Sequence, residues 1–322
     1  MIMVMKAITS RSLGVCFASA SLVLVAGCAG AMDSPTPIGA PVTAQSERST
    51  RQSHPSSKLY IANSEGGVLV YSTSSNPQLL QTITNGVPRP GGIWVDDRGI
   101  LYAVNVPVSS YQTSLSEYKL GASSPFRTIT HGIVDCGNVA VDKHGNVYVT
   151  GIDPSNESFF LEIYPKGQLS PAQTLTIPHP ANSRVSGLAF DSTGALLVGE
   201  SVYFQKGVVY RLARGSQTFT NLNLQNATGG TIAIDKAGNL YVGSGSSAGA
   251  QLISVYAPNS TNPSRQIAVQ NILAALTVEP NGELYVETIG NGPPQISVYA
   301  PGRYNPMQTF DVGGGGGIAL SR

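Results

Sequence analysis

The chain has 322 residues, of which 19 are Lys or Arg and 18 are Asp or Glu, giving a formal net charge of +1. This balance excludes the basic surface that nucleic-acid binding requires and the acidic tracts of a metal store. Only 11% of the residues are charged, so Ser, Thr, Asn, Gln and Gly are expected to dominate the exposed surface.

Residues 1–27 are predicted to be an export signal. Lys6 and Arg11 supply a short positive region, and an apolar run from residue 13 to residue 26 is too short to span a bilayer as a mature helix. The run ends in Val25-Ala26-Gly27-Cys28, which resembles the bacterial lipobox. The resemblance implies that Cys28 is acylated and becomes the first mature residue. The alternative is an ordinary secretory signal in which Cys28 plays no part.

Residues 28–57 are predicted to be a tether. They are rich in Ser, Thr, Pro, Ala and Gln and show no hydrophobic period, so we expect a flexible chain with a reach of about 30 Å. Ala29 follows the cysteine rather than Asp, and nothing signals retention in an inner membrane. The protein is therefore expected to be exported and anchored by lipid to the bacterial cell envelope, at the outer membrane where there are two.

Cysteine usage argues against a disulfide framework. Cys16 lies in the signal and Cys28 would carry the lipid, so Cys136 is the cysteine left for the folded part. We expect Cys136 to be a small buried apolar residue. A catalytic thiol would need a base such as His131 beside it, and sequence spacing does not establish that proximity.

Residues 58–322 contain six copies of one pattern with four anchors. Each copy has a strand-like Leu-Tyr-Val element, a short strand ending in tyrosine, a weaker segment that we identify in five copies, and an apolar triplet. The first anchors begin at Leu59, Leu101, Val147, Leu196, Leu240 and Leu284. The tyrosines are Tyr71, Tyr118, Tyr164, Tyr210, Tyr256 and Tyr299. The triplets begin at Ile93, Val139, Leu188, Ile232, Leu276 and Ile318.

The spacing of the repeats predicts the fold. Successive first anchors lie 42, 46, 49, 44 and 44 residues apart, and the apolar runs are short, rich in Val, Ile and Tyr, and bounded by Gly, Pro, Asn or Asp. Four short strands in each period of about 45 residues are typical of a β-propeller. We therefore predict an all-β, six-bladed β-propeller of four-stranded antiparallel blades over residues 58–322.

Five repeats follow the triplet with a carboxylate and, three residues later, a glycine. The carboxylates are Asp96, Asp142, Asp191, Asp235 and Glu279. A carboxylate can accept hydrogen bonds from the turn amides, and glycine permits the positive φ that ends the turn. Because each turn belongs to a different blade, the carboxylates are expected to be structural and too far apart to share an ion.

The middle residue of the triplet is alanine in four copies, which is expected of the innermost strand where blades converge. Trp94, the only tryptophan, breaks this pattern. It either fills a gap between blades or projects toward the axis as a platform for a ligand. The last triplet is expected to join the N-terminal strands in one blade and so close the ring, with residues 313–317 as a loose turn leading into it.

The segment Ile232-Ala233-Ile234-Asp235-Lys236-Ala237-Gly238-Asn239-Leu240-Tyr241-Val242 resembles the core of an NHL repeat. More broadly, residues 58–322 are similar to the six-bladed propellers that include the SMP-30/gluconolactonase group. The chain departs from NHL repeats where their Asp would follow the second strand. Those places hold Asn63, Asn105, Gly151, Glu200, Ser244 and Thr288.

Propeller sites are usually found where the loops after the second strand and before the innermost strand meet the axis. Trp94, Asn63, Arg184 and His131 are the candidate ligand-binding residues. Glu287 is a further candidate at this end, and Arg89 and His179 are expected nearby. An SMP-30-like lactonase would hold a divalent cation such as calcium with oxygen ligands, and Asn105, Asp135 and Glu200 could supply them. His131 or His179 could instead serve as the base of a lyase.

No metal-binding spacing supports the lactonase. We therefore predict a noncatalytic binding module without a cofactor, a monomer that recognises an envelope protein or glycan and binds no nucleic acid. A metal-dependent lactonase or hydrolase is the alternative. A third possibility is a purely structural component of an envelope assembly.

Overall fold

The computed structural model describes residues 57–107, 113–133, 137–180, 182–202, 207–227, 230–243 and 251–321. They belong to one compact unit, Thr50–Arg322. The predicted signal and almost all of the predicted tether lie outside the described residues. None of the described residues forms a helix long and apolar enough to cross a membrane.

The chain forms six blades of four antiparallel strands, which confirms the predicted fold. In each blade the strands are given from the axis outward. Blade I holds β24 (Ile318–Leu320), β1 (Lys58–Asn63), β2 (Gly67–Ser72) and β3 (Leu79–Ile83). Blade II holds β4 (Pro90–Val95), β5 (Leu101–Asn105), β6 (Ser114–Tyr118) and β7 (Arg127–Ile129). Blade III holds β8 (Asn138–Val141), β9 (Val147–Ile152), β10 (Phe159–Tyr164) and β11 (Gln173–Thr176).

The other three blades repeat this order. Blade IV holds β12 (Ser183–Phe190), β13 (Leu196–Val202), β14 (Val208–Leu212) and β15 (Phe219–Asn221). Blade V holds β16 (Thr231–Ile234), β17 (Leu240–Gly243), β18 (Gln251–Tyr256) and β19 (Arg265–Val269). Blade VI holds β20 (Ile272–Val278), β21 (Leu284–Ile289), β22 (Gln295–Tyr299) and β23 (Gln308–Asp311).

The C-terminal strand closes the ring in the predicted way. β24 pairs antiparallel with β1, and Tyr60 lies opposite Ala319. Beyond the strand, the backbone N–H of Ser321 donates to the carbonyl of Lys58 at 2.9 Å, and its hydroxyl accepts from the N–H of Lys58 at 2.8 Å. Blade I is therefore built from both ends of the folded chain.

The apolar core lies between adjacent blades, because each sheet buries one face on each neighbour. One cluster, for example, joins Ala62 and Ala319 of blade I to Ile93 and Ala103 of blade II. In four of the six inner strands the middle residue is an alanine that faces the following blade. Ala140, Ala189, Ala233 and Ala319 are all less than a tenth exposed. The small residues expected on the innermost strand are confirmed.

The turns between inner and second strands have the predicted geometry. The Oδ1 atom of Asp96 accepts the backbone N–H groups of Arg98 and Ile100, each at 2.9 Å, and Gly99 has a φ of 77°. Equivalent bonds to backbone N–H groups are made by Asp142, Asp191 and Asp235. The end of the ring that carries these turns is called the turn end, and the opposite end, where the inner strands begin, is the loop end.

Three of the predicted strand-ending tyrosines join neighbouring blades. Their hydroxyls donate to backbone carbonyls that follow the outer strand of the preceding blade: Tyr118 to Asn85 at 2.7 Å, Tyr164 to His131 at 2.9 Å and Tyr256 to Gln225 at 2.7 Å. The weaker anchor that the sequence analysis did not identify in the fourth repeat is β15. Its sequence, Phe-Thr-Asn, is half-buried and then exposed, so it carries little hydrophobic signal.

Candidate functional site

The six inner strands surround an axial channel with a volume of about 850 Å³. Ligand pockets in proteins are usually of about 300–1,000 Å³, so the channel can hold a small molecule or a short polymer segment. Neutral polar side chains line its loop end, among them Asn138, Ser186 and Thr231. Charged side chains line its turn end, among them Lys143 and Lys236.

Trp94 lies on the wall of this channel. Its ring meets the ring of Phe190 almost perpendicularly, with centroids 6.4 Å apart, and Phe190 in turn meets Tyr148 at 5.1 Å. Trp94 belongs to blade II and Phe190 to blade IV, so the indole spans blade III, whose Ala140 shares the same apolar cluster. Trp94 therefore packs between blades and also borders the channel, and its role as a platform for a ligand stays a prediction.

The two candidate asparagines organise their own loops. The Oδ1 atom of Asn63 accepts the N–H of Glu65 at 3.0 Å, within the hairpin that joins β1 to β2. The Oδ1 atom of Asn105 accepts the N–H of Arg89 at 3.2 Å. In both cases the amide oxygen holds backbone, and neither residue is among those that line the channel.

The other candidates at the loop end are placed away from the channel wall. Arg184 and His131 are exposed, and the ring of His179 stacks edge-on against Phe159 with centroids 4.9 Å apart. Asp135 and Cys136 lie outside the described residues. Of the four predicted ligand-binding residues, Trp94 is the one that the described part of the chain places on the channel.

Glu200, a member of the predicted metal set, is sealed between blades III and IV. It shares its face of β13 with Leu196 and Val198, which pack against Leu161 of blade III. The side chain is fully buried, and neither carboxylate oxygen has a hydrogen-bond partner among the described residues. Burial raises the pKa of Glu200 to about 7.

The described residues contain no group of three or more His, Cys, Asp or Glu side chains placed to hold a metal ion. The amide oxygen of Asn105 accepts the N–H of Arg89, and the carboxylate of Glu200 is buried on the face of β13 that packs against blade III. Because Asp135 is not described, the three-residue metal set as a whole stays a prediction.

A second buried carboxylate, Glu287, lies at the junction of blades VI and I. Its side chain is fully buried, and its Oε2 atom accepts the backbone N–H of Gly316 at 3.4 Å. Among the described residues its Oε1 atom has no hydrogen-bond partner. Burial raises the pKa of Glu287 to about 7, and the N–H groups of Gly316 and Gly317 only partly offset this effect.

Sequence reasoning missed most of the channel wall. Asn138, Ser186, Thr231 and Phe190 lie within or beside the apolar triplets rather than in the loops where the candidates were sought. The sequence signal that could have identified the channel wall is the polar residue at the start of several inner strands, such as Asn138 and Thr231.

Comparison with known proteins supports the architecture. No family model matches the chain, and no curated protein matches it. A solved protein of unknown function from Bacteroides caccae aligns with a TM-score of 0.57 and 13% identity over 83% of this chain and 99% of that one. The WD40 β-propeller domain of Doa1 aligns with a TM-score of 0.53 and 13% identity, over 80% of this chain and 79% of that one.

A calcium-binding protein, regucalcin, from Agrobacterium tumefaciens aligns with a TM-score of 0.50 and 14% identity, over 71% of this chain and 77% of that one. The neighbours thus differ in function, and likeness at such low identity shows the fold alone. The chain is a six-bladed β-propeller, with regucalcin and other propellers among its structural neighbours.

Proposed function

We propose that the protein is an exported, lipid-anchored propeller that binds an envelope ligand in its axial channel and performs no catalysis. The observation that supports this function is the channel itself, a cavity of about 850 Å³ whose wall combines Trp94 with neutral amide and hydroxyl groups. The anchor rests on the lipobox-like sequence that ends in Cys28.

The chemistry of the wall favours a glycan. A flat aromatic ring can pack against the apolar face of a sugar. The hydroxyl groups of the sugar need neutral hydrogen-bond donors and acceptors, which Asn138, Ser186 and Thr231 supply. Gly187 and Gly316 also line the channel, where the lack of a side chain lets a ligand approach the backbone. A protein segment is the alternative ligand.

The absence of catalysis is supported by the state of the acidic residues near the channel. Asp96, Asp142, Asp191 and Asp235 at the turn end accept backbone N–H groups, as described above, and Asp96 is also paired with Arg98 at 2.6 Å. A lactonase would have to assemble its ion from Asn105, Asp135 and Glu200, and Glu200 lies between two blades rather than on the channel wall.

The single tryptophan makes the proposal directly testable. Soluble cell-wall glycan fragments, and separately envelope peptides, are titrated into the full lipidated chain in detergent while Trp94 emission and heat are recorded. We expect a saturable change in emission with glycan fragments. Binding measured by heat should weaken in Trp94→Phe and persist in Tyr148→Phe, whose ring touches the same cluster without lining the channel.

Two outcomes would contradict the proposal. Fragments that bind without altering Trp94 emission would place the ligand outside the channel. Turnover of a lactone panel on adding calcium, lost in Glu200→Ala, would make the protein an enzyme. The anchor is tested separately by labelled palmitate, whose incorporation should be lost in Cys28→Ser.

A further inference from the structure

The outer rim of the turn end has a composition unlike that of the rest of the ring. It is formed by the turns between the third and outer strands, here called the rim turns, at residues 73–78, 119–126, 165–172, 213–218, 257–264 and 300–307. In blades II to VI the rim turn lies beside the inner turn of its own blade. In blade III, for example, the N–H of Lys166 donates to Oδ1 of Asn146 at 3.2 Å.

Exposed apolar side chains are concentrated on this rim. Among the described residues, eight large apolar side chains are exposed: Leu79, Leu80, Leu120, Phe126, Leu169, Ile272, Tyr304 and Met307. Five of them lie in rim turns, and Leu79 and Leu80 directly follow one, which leaves only Ile272 elsewhere. Exposed apolar residues scattered singly need no explanation, but this clustering at one edge does.

The charges on the rim have one sign. Lys119, Lys166, Arg214 and Arg303 are all exposed in rim turns, whereas none of the six rim turns contains Asp or Glu. The whole chain is close to neutral, with 19 basic and 18 acidic residues, so overall composition does not account for this segregation. The rim is an apolar edge with basic residues interspersed.

The backbone holds these side chains in place. In the rim turn of blade II, the N–H of Ala122 donates to the carbonyl of Lys119 at 2.9 Å and Gly121 has a φ of 76°. Such a turn, with positive φ at its third residue, recurs in blades III, IV, V and VI. The second residue forms the tip of the turn, and this position is held by Leu120, Lys166 and Arg214 in three blades.

The predicted tether joins the ring at this same end. Thr73, in the rim turn of blade I, donates from its hydroxyl to the carbonyl of Ser57 at 3.1 Å. Ser57 also lines the channel, beside the residues of the turn end. Ser57, the described residue nearest to Cys28 in the chain, therefore lies on the side that carries the apolar and basic rim.

We infer that the rim docks on the surface of an anionic lipid bilayer. Exposed Leu, Phe, Tyr and Met side chains enter the headgroup region of a membrane, and Lys and Arg are attracted to anionic lipids there. In the docked ring, the loop end would face away from the bilayer, and the opening of the channel at that end would remain accessible to a ligand. The inference relies on the proposed function only for the lipid anchor, which would hold the ring near the membrane.

The test uses residues 50–322, which form a compact unit without the signal or the acylated cysteine. Sedimentation is measured with vesicles containing about one third phosphatidylglycerol and with purely zwitterionic vesicles. We expect binding to the anionic vesicles that falls steeply in about 1 M salt, where the screening length is about 3 Å. Each of Lys166→Gln and Arg214→Gln should lower the partition coefficient about fivefold.

Matched variants separate the rim from the rest of the surface. Leu120→Ser and Leu169→Ser should weaken vesicle binding, whereas Ile272→Ser and Arg184→Gln, which change an exposed side chain at the loop end, should not. Equal effects of both sets, or no binding to anionic vesicles, would overturn the inference. A dimer seen by light scattering and lost in Leu120→Ser would also overturn it, by assigning the rim to a second copy.

Failure of this inference can be distinguished from failure of the proposed function. The vesicle experiment contains no acyl chain and no channel ligand. The Trp94 titration and the palmitate label contain no vesicles. Vesicle binding by the ring with no glycan binding would uphold docking and reject the channel ligand.

Discussion

Two blade junctions in this ring differ in the residue that the second strand presents to the next blade. At the junction of blades IV and V, the second strand carries Gly199, and a Cβ there would lie 2.1 Å from the carbonyl oxygen of Gly230. At the junction of blades VI and I, the equivalent place is held by Glu287, and the glycines are on the other side, where a Cβ on Gly315 would lie 3.7 Å from Oε1 of Glu287. The first junction therefore lacks a side chain on both sides, at Gly199 and Gly230, whereas the second lacks one only on the side of the segment before β24.

This difference explains the run of five glycines before β24. The run leads into the closing strand as predicted, but it is packed rather than loose. A Cβ on Gly314 would lie 2.5 Å from the Cα of Asn63, and one on Gly315 would lie 2.7 Å from Cδ1 of Ile289. The closing strand can therefore approach blade VI only because the segment before it lacks side chains, and the space so created admits a buried carboxylate.

The largest expected contrast comes from adding one methyl group at each junction. Gly199→Ala should lower the free energy of unfolding by about 3 kcal/mol, because the clash is with backbone that cannot rotate away. Gly316→Ala should change it by less than about 1 kcal/mol, since the nearest atom, the carbonyl oxygen of Ala62, would be 3.5 Å away. Denaturant unfolding of both variants gives the comparison.

Gly292→Ala is the matched control, because a Cβ there would meet no atom within 4 Å. Equal destabilisation by Gly199→Ala and Gly316→Ala would show that the two junctions are packed alike.

The next effect concerns pH and the carboxylate at the closing junction. The pKa of Glu287 is about 7 in the folded ring and 4.5 as its ordinary value, so the folded protein binds more protons between those values. The free energy of unfolding should therefore fall as pH rises from about 4.5 to about 7, by up to about 3 kcal/mol from this residue. Glu287→Gln should remove that contribution and be the more stable protein at pH 8.

Glu200, with its pKa also raised to about 7, should retain a similar dependence at the junction of blades III and IV. The stability of Glu287→Gln should thus still fall with pH, and the double variant with Glu200→Gln should be nearly flat over this range. Parallel pH profiles of stability for the parent and both variants would show that Glu287 and Glu200 do not cause the pH dependence.

The smallest effect compares two tyrosines at equivalent positions. Tyr118 donates to the carbonyl of Asn85 across the junction of blades I and II, so Tyr118→Phe should cost about 1 kcal/mol. At the closing junction, Tyr71 instead packs against Phe310, with ring centroids 6.1 Å apart, and its hydroxyl makes no hydrogen bond to the described residues. Tyr71→Phe should be close to neutral. Equal losses in thermal unfolding would remove this distinction between the junctions.

The ring could be predicted from the sequence because its repeats are local and periodic. Short apolar runs and Asp-x-x-Gly turns predict the strands, and alanine in the middle of four triplets indicates which strand is innermost. The position within the repeat at which the folded part begins and ends predicts how the ring closes. β15 was missed because its three residues, Phe219–Asn221, are mostly exposed and make little hydrophobic contribution.

The site was harder to predict because it depends on contacts between blades. Asn63 and Asn105 looked like ligand residues, yet their amide oxygens hold nearby backbone N–H groups. Glu200 and Glu287 are neighbours in the repeat pattern, one position apart, so they face opposite neighbouring blades, and only the packed structure shows that both are enclosed. Trp94 was recognised because it violates a repeat, which sequence comparison between blades can detect.

Deletion of residues 316–322 tests the central claim most directly, because the channel and the closing junction both depend on the strand it removes. Ile318 and Leu320 are each less than a tenth exposed, and their loss together with the pairing to β1 should cost at least about 5 kcal/mol. We expect the shortened chain to be largely unfolded, or to unfold at a much lower denaturant concentration than the parent. A shortened chain with the denaturation midpoint of the parent would contradict the closure of the ring by its C-terminal strand.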